Sequence, residues 1–187
     1  TGRGVGIAII DSGISSLNDD LLLNAAGQPS QAVAYFKDFT REDTPGTWVV
    51  PSDDFGHGTH VAGIIRGSGY DSNGRRHGIA TESKLVGLKV LDRDGHGYIS
   101  DLIEAIDYAV MLKSAFNIRV INISVGAGIV ESYHLDPLAL ATKRAVDAGI
   151  VVVAAAGNLG RHSAGNTQFG GITAPGNAPW VITVGAA

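Results

Sequence analysis

Apolar positions in this chain come in short continuous runs, separated by polar and glycine-rich stretches. Val5-Gly6-Ile7-Ala8-Ile9-Ile10 is apolar on both faces until Asp11 stops it, which predicts a buried strand. Lys84 to Val90, Val120 to Ile123, Ile150 to Ala154 and Trp180 to Val184 read the same way. Between them the period changes. Leu102, Ile103, Ile106, Ala109, Val110 and Phe116 recur at helical spacing, predicting a helix over Ser100 to Phe116 with Ser100 as N-cap and Glu104 in its first turn. Pro137 to Asp147 predicts a second helix, opened by proline and closed by Gly149. The stretches 16–31, 38–56 and 157–178 are polar, glycine-rich or proline-bearing and read as loops. Strand–helix alternation implies right-handed crossovers and an α/β fold: a doubly wound, mostly parallel sheet with helices on both faces.

Composition narrows the choice of chemistry. The 187 residues fit one domain, 44% hydrophobic and 17% charged, so a packed core is expected rather than disorder. A net charge of -4 without a basic stripe argues against nucleic acid as partner. No apolar run is long enough to cross a bilayer, so no membrane partner is expected. With no cysteine there is no disulfide and no thiol nucleophile, and the compartment stays open. The chain does not open on a signal-peptide pattern, and Thr1-Gly2-Arg3-Gly4 reads as a trimmed or processed start.

In an open α/β sheet, ligands bind outside the carboxyl ends of the strands. Asp11, Ser124 and the pair Gly157-Asn158 each follow a predicted strand and so gather at one sheet edge. Asp11 with Ser12-Gly13 is either a turn that ends the strand or a carboxylate that orients a base. The segment Phe55-Gly56-His57-Gly58-Thr59-His60-Val61-Ala62-Gly63 puts a histidine between glycines, where backbone approaches closely, and then enters a helix. With Asp11 at Nδ1, the His57 imidazole presents Nε2 as a base; the alternatives are packing or metal binding by His57 and His60. Metal binding is the weaker reading, because no His-Glu-x-x-His pattern or third ligand accompanies the pair. Val151 to Ala156 ends in small residues before Gly157-Asn158, either a turn or an amide donor for a developing oxyanion. Ser124-Val125-Gly126 and Gly95-His96-Gly97-Tyr98 are plain loops, or edges that pair with an extended peptide.

Together these segments resemble the subtilisin-like (subtilase) serine peptidases. The resemblance rests on Asp11-Ser12-Gly13 after Ala8-Ile9-Ile10, on His57 to Gly63, and on Ala154-Ala155-Ala156-Gly157-Asn158. Lys89-Val90-Leu91 and Val181 to Ala186 extend it over nearly the whole chain. Asp before His is that family's order. It implies a serine endopeptidase acting on polypeptides through an Asp-His-Ser triad. Asp11 would orient the base, His57 would be the base and then the acid, and Asn158 an oxyanion donor. Ser124, Val125, Gly126, Gly95 and Gly97 would flank the substrate backbone. Ala155, Ala156 and Gly157 would line the pocket for the residue before the scissile bond, and His60 would be structural.

The departures from the family pattern set further expectations. The nucleophile's Gly-Thr-Ser-Met-Ala segment is absent, and no serine present has its context. Residues 1–187 therefore read as a partial peptidase domain lacking the catalytic serine, inactive alone, with sheet surface that calls for the missing part of the domain or self-association. No cofactor is required. The resemblance allows structural calcium, but Asp71-Ser72-Asn73-Gly74 and Asp92-Arg93-Asp94-Gly95 do not complete a calcium loop. It also favours an extracellular location. Asn122-Ile123-Ser124 matches a glycosylation acceptor but lies in a predicted buried strand. The alternatives are a non-catalytic binding or regulatory module on the same fold, and a dinucleotide-binding domain. The last is disfavoured because Gly2, Gly4 and Gly6 precede or enter the first strand rather than follow it.

Overall fold

A computed structural model describes residues 1–40, 49–160, 166–167 and 169–186. Six strands form one parallel sheet: β1 (Gly6–Asp11), β2 (Val33–Asp38), β3 (Lys84–Lys89), β4 (Ile118–Ile123), β5 (Val151–Ala155) and β6 (Ile182–Val184), in the order β2-β3-β1-β4-β5-β6. The helices are α1 (Asp19–Leu22), α2 (His57–Arg66), α3 (Ile99–Met111), α4 (Lys113–Phe116) and α5 (Pro137–Asp147), with a 3₁₀ turn at Tyr70–Ser72.

Strand register divides the sheet's side chains between two cores. Ala8, Ile10, Val86, Leu88, Ile121, Ile123 and Val152 face α3 and α5, where they pack with Ala105, Ile106, Ala109, Leu138 and Ala141. Ile7, Ile9 and Leu85 face the opposite way and pack with Ala62 of α2, Ile14 and Leu21. Helices thus lie on both faces, as the alternation predicts. The central strands β1 and β3 are buried along nearly their whole length, which is why they read as unbroken apolar runs.

The α2-side face is unevenly covered. Pairing of Ile7 with Val120, Val120 with Val151, and Val153 with Ile182 puts these residues on the side of α2. There α2 reaches only the β1–β3 half. On the other half Val151, Ile182 and Val184 are 47%, 55% and 56% exposed, a contiguous apolar strip across β5 and β6.

Several expectations are corrected. β2 was not among the predicted strands; it is a sheet edge of mixed burial, so its sequence lacks a continuous apolar run. Asp38, taken as loop, ends that strand, and a short α1 lies within the predicted loop 16–31. Ser100 is not the N-cap of α3: Tyr98 is, its carbonyl receiving the N–H groups of Asp101 and Leu102, and Ser100 bonds Asp101 from inside the first turn. The predicted helix through Phe116 breaks at Leu112. Trp180 is not in a strand; its indole N–H bonds the Ala139 carbonyl and Thr142 hydroxyl, clasping α5. Parts of the predicted loops 38–56 and 157–178 lie outside the described residues.

Candidate functional site

Asp11 is the last residue of β1, in phase with Ile7 and Ile9, and so points to the α2 side. Its side chain is 1% exposed. An ionised carboxylate at that depth needs strong partners. Oδ1 accepts from the Ser12 backbone N–H at 2.7 Å and lies 2.8 Å from Nδ1 of His57. A carboxylate only accepts, so Nδ1 carries the proton and the neutral imidazole keeps its lone pair on Nε2. The His57 side chain is 43% exposed. One end of the ring is thus fixed in the protein while the ring remains open to solvent. The pair can take up a proton at Nε2 and stabilise the resulting imidazolium.

The placement of His57 depends on how α2 begins. Its N-cap is Gly56, at φ 96°, which has no side chain to satisfy the first-turn N–H groups. Other segments do so. Ser12 Oγ accepts from the Gly58 N–H at 2.9 Å. Asp53 accepts the Thr59 N–H at 2.8 Å, the Thr59 hydroxyl at 2.5 Å, the Gly56 N–H at 2.8 Å and the Ser12 hydroxyl at 2.8 Å. One carboxylate therefore ties the start of α2 to the turn after Asp11, and also complements the positive end of the helix dipole. Gly58 lets α2 approach that turn: a Cβ there would overlap the Gly13 carbonyl oxygen and sit 3.1 Å from the Asp11 Cβ.

Burial alone would raise the Asp53 carboxyl, but the bonds from Thr59, Gly56 and Ser12 outweigh it and hold the group below the ordinary 3.8. A depressed carboxyl contributes stability that is complete above its unfolded value and is lost as pH falls through the folded one. Asp53→Ala is therefore expected to cost about 1–2 kcal/mol at pH 7. That cost should shrink below about pH 4, where the unfolded carboxyl protonates. Urea unfolding of both proteins at neutral and acid pH measures this; an equal cost at both would contradict it.

Lys89 fixes the other side of the turn. It is fully buried at the end of β3, opposite Asp11 in register, and its Nζ donates to the carbonyls of Ser12 and Leu91 at 2.6 Å each. The Leu91 bond anchors the loop carrying Gly95 and Gly97. The Asp92 carboxylate shapes that loop by accepting the backbone N–H groups of Asp94 and His96 at 2.9 Å, bonds that lower its pKa. The Phe55 ring covers Gly95 so closely that a Cβ there would come 2.6 Å from it. Gly97 lines a cleft of about 250 Å³ with Asp92, His96, Tyr98 and Asp101.

On the other side of β1, Ser124, Val125 and Gly126 follow β4. The Ser124 hydroxyl accepts from the Asn122 amide at 2.9 Å, and Gly126 leads into an antiparallel bridge between Ala127 and Ala174. Ala155 ends β5, Ala156, Gly157 and Asn158 follow it, and all four line a broad cleft of about 1030 Å³ with Phe169, Ile172 and Val184. Asn158 is exposed, and Gly157 adopts φ 94° against Thr173. The structure thus joins Asp11 and His57 directly and sets the other predicted residues at the same carboxyl edge, Ala155 at the end of β5 and the rest on loops. No hydrogen bond among the described residues links Asn158 to His57. No group of three or more His, Asp or Glu side chains among the described residues is placed to hold a metal ion.

The sequence reading missed Asp53, Ser12, Thr59 and Lys89 as parts of the site. Their signal was present: an acid four residues before His57, and a lysine closing a buried strand.

The sequence model of the Subtilase family matches residues 2–187. Serine protease AprX of Bacillus subtilis is 37% identical over 191 residues, covering 100% of this chain and 39% of that protein. A subtilisin of Bacillus pumilus is 37% identical over 188 residues, covering 100% of this chain and 58% of the relative. Among solved structures, the S41 psychrophilic protease aligns over 97% of this chain and 53% of its own length, with a TM-score of 0.77 and 35% identity. The chain therefore spans between about two fifths and three fifths of these relatives.

Proposed function

The chain belongs to the subtilase family, and from that premise we propose that residues 1–187 supply the acid, the base, an oxyanion donor and the substrate-flanking loops of a serine endopeptidase. The observation that carries this reading is the bond between Asp11 Oδ1 and His57 Nδ1, 2.8 Å long, with the imidazole exposed and the carboxylate buried. A positioned base of this kind takes the proton from a serine hydroxyl as it attacks a peptide carbonyl, then returns it to the leaving amine. Asn158 donates to the oxyanion, and Ala155 to Gly157 line the pocket beside it. Loops 124–126 and 95–97 pair with an extended polypeptide.

The nucleophile itself is proposed to lie outside these residues. The sequence holds no Gly-Thr-Ser, and no serine hydroxyl among the described residues bonds His57. The apolar strip over β5 and β6 supports the same reading, as a surface for the remainder of the domain to cover. An extracellular site of action is proposed by analogy with a relative named minor extracellular protease Epr, 36% identical over 162 residues.

Residues 1–187 alone are expected to take no specific label from a fluorophosphonate probe. The protein extended through a Gly-Thr-Ser segment is expected to label at one serine and to cleave a generic peptide substrate, and His57→Ala should abolish both. Stoichiometric labelling of a serine within residues 1–187 would overturn the assignment of the nucleophile. Undiminished cleavage by the His57→Ala protein would overturn the role of the imidazole.

A further inference from the structure

Arg66 closes α2 at the end opposite His57, roughly 14 Å along the helix axis. It is only 6% exposed. A buried guanidinium normally meets a carboxylate. Here its partners are neutral: Nε reaches the Ser83 carbonyl at a long 3.4 Å, and Nη2 donates to Ser30 Oγ at 2.9 Å. Nη1 bonds nothing among the described residues, and burial lowers the pKa of the group. The negative end of the helix dipole favours a cation at this position, but it is satisfied equally by an exposed arginine and does not account for the burial.

The side chain forms part of a cleft of about 610 Å³ that Ser30, Ser68, His77 and Thr81 also line. Two of the hydroxyls keep a hydrogen to give. Ser30 Oγ accepts from Arg66, and Ser68 Oγ accepts from the Tyr70 N–H at 3.3 Å. Neither hydroxyl donates to a described residue, so each has a hydrogen to give. The one carboxylate lining the cleft, Glu82, is already held by Arg3, whose Nε and Nη2 reach it at 3.2 and 2.5 Å. Asn24 is spent within its own turn, bonding Ala26 and Gln28.

We infer that this cleft is a binding site for an oxyanion, a phosphate or a carboxylate, held by Arg66 with the hydroxyls of Ser30 and Ser68. A buried guanidinium bonded only to neutral groups, with two hydroxyl hydrogens beside it, is complementary to an anion. The site is separate from the Asp11–His57 pair, and the inference does not depend on the function proposed for that pair.

The test is a thermal-shift and calorimetric titration of the whole chain with inorganic phosphate and, separately, with acetyl-Glu-Glu-amide, at ionic strength matched with sodium chloride. At a tenfold excess over its Kd, a bound anion should raise Tm by about 3–6 °C. Arg66→Met should remove the response. Should Arg66→Met not fold, the double variant Ser30→Ala/Ser68→Ala keeps the guanidinium and should weaken binding at least about fivefold. Arg75→Gln/Arg76→Gln, on a neighbouring surface, should leave the response intact. A response to phosphate alone identifies a small inorganic or phosphoryl ligand, and one to the peptide identifies an acidic polypeptide; both uphold the site. No response beyond chloride, or an equal response in the Arg66 and serine variants, would overturn it.

Discussion

Replacing Gly58 by alanine is expected to lower the stability of residues 1–187 by about 3 kcal/mol or more and to separate His57 from Asp11. Helix propensity alone points the other way, since alanine is favoured over glycine inside a helix by about 1 kcal/mol. Packing decides the sign. The added Cβ would overlap the Gly13 carbonyl oxygen while sitting 3.1 Å from the Asp11 Cβ, and a backbone oxygen cannot swing aside as a flexible side chain can. Either α2 backs away from the end of β1 or the turn at Ser12–Gly13 shifts. Both strain the Gly58 N–H bond to Ser12 and the network at Asp53. A Tm drop of about 6–12 °C should accompany the change. The downfield proton resonance of a hydrogen-bonded His57 Nδ1 should disappear. Gly63→Ala in the same helix is the control. Apart from its chain neighbours and the backbone of its own helix, nothing lies within 4 Å of a Cβ placed there, so it should gain about 0.5–1 kcal/mol. A Gly58→Ala protein as stable as Gly63→Ala would show that the contact is not tight.

The second large effect concerns charge at fixed shape. In the protein extended through its nucleophile, Asp11→Asn is expected to lower kcat by about 10⁴-fold, with little change in KM. The amide matches the carboxylate in size, and its oxygen can still accept from Ser12. What it cannot do is stabilise an imidazolium as a buried anion does. Its NH₂ would also take the place of Oδ2, which is buried and has no partner, so an unmet donor replaces an unmet acceptor. Steady-state kinetics with a generic peptide substrate measure the effect. A loss under tenfold would mean that Asp11 serves the fold rather than the base.

Both predictions turn on one construction, a helix start docked against a strand end. Some of it was legible in the sequence. Asp11 terminates a run that is buried throughout, and a glycine-flanked histidine opening a helix is a local pattern. The capping arrangement was not legible. Asp53 and Ser12 lie 41 residues apart and act on N–H groups of a third segment. Nothing in the spacing of apolar residues encodes such contacts. Lys89 is a similar case. Sequence rules place lysine at the surface, yet two backbone carbonyls hold it in the core. Ser100 failed as an N-cap because turn geometry fixed the helix start at Tyr98, and local propensity yields to that.

Composition and periodicity by themselves pointed to the parallel α/β fold, and the local motifs around Asp11 and His57 marked them as candidates whose pairing the family resemblance implied. Those features are written in contiguous segments, where burial on both faces leaves unbroken apolar runs and close backbone approach demands glycine. The tertiary structure alone decided the trans-capping of α2, the exposed apolar strip over β5 and β6, and the unpaired guanidinium of Arg66. Each depends on which distant groups meet, or fail to meet, once the sheet has assembled.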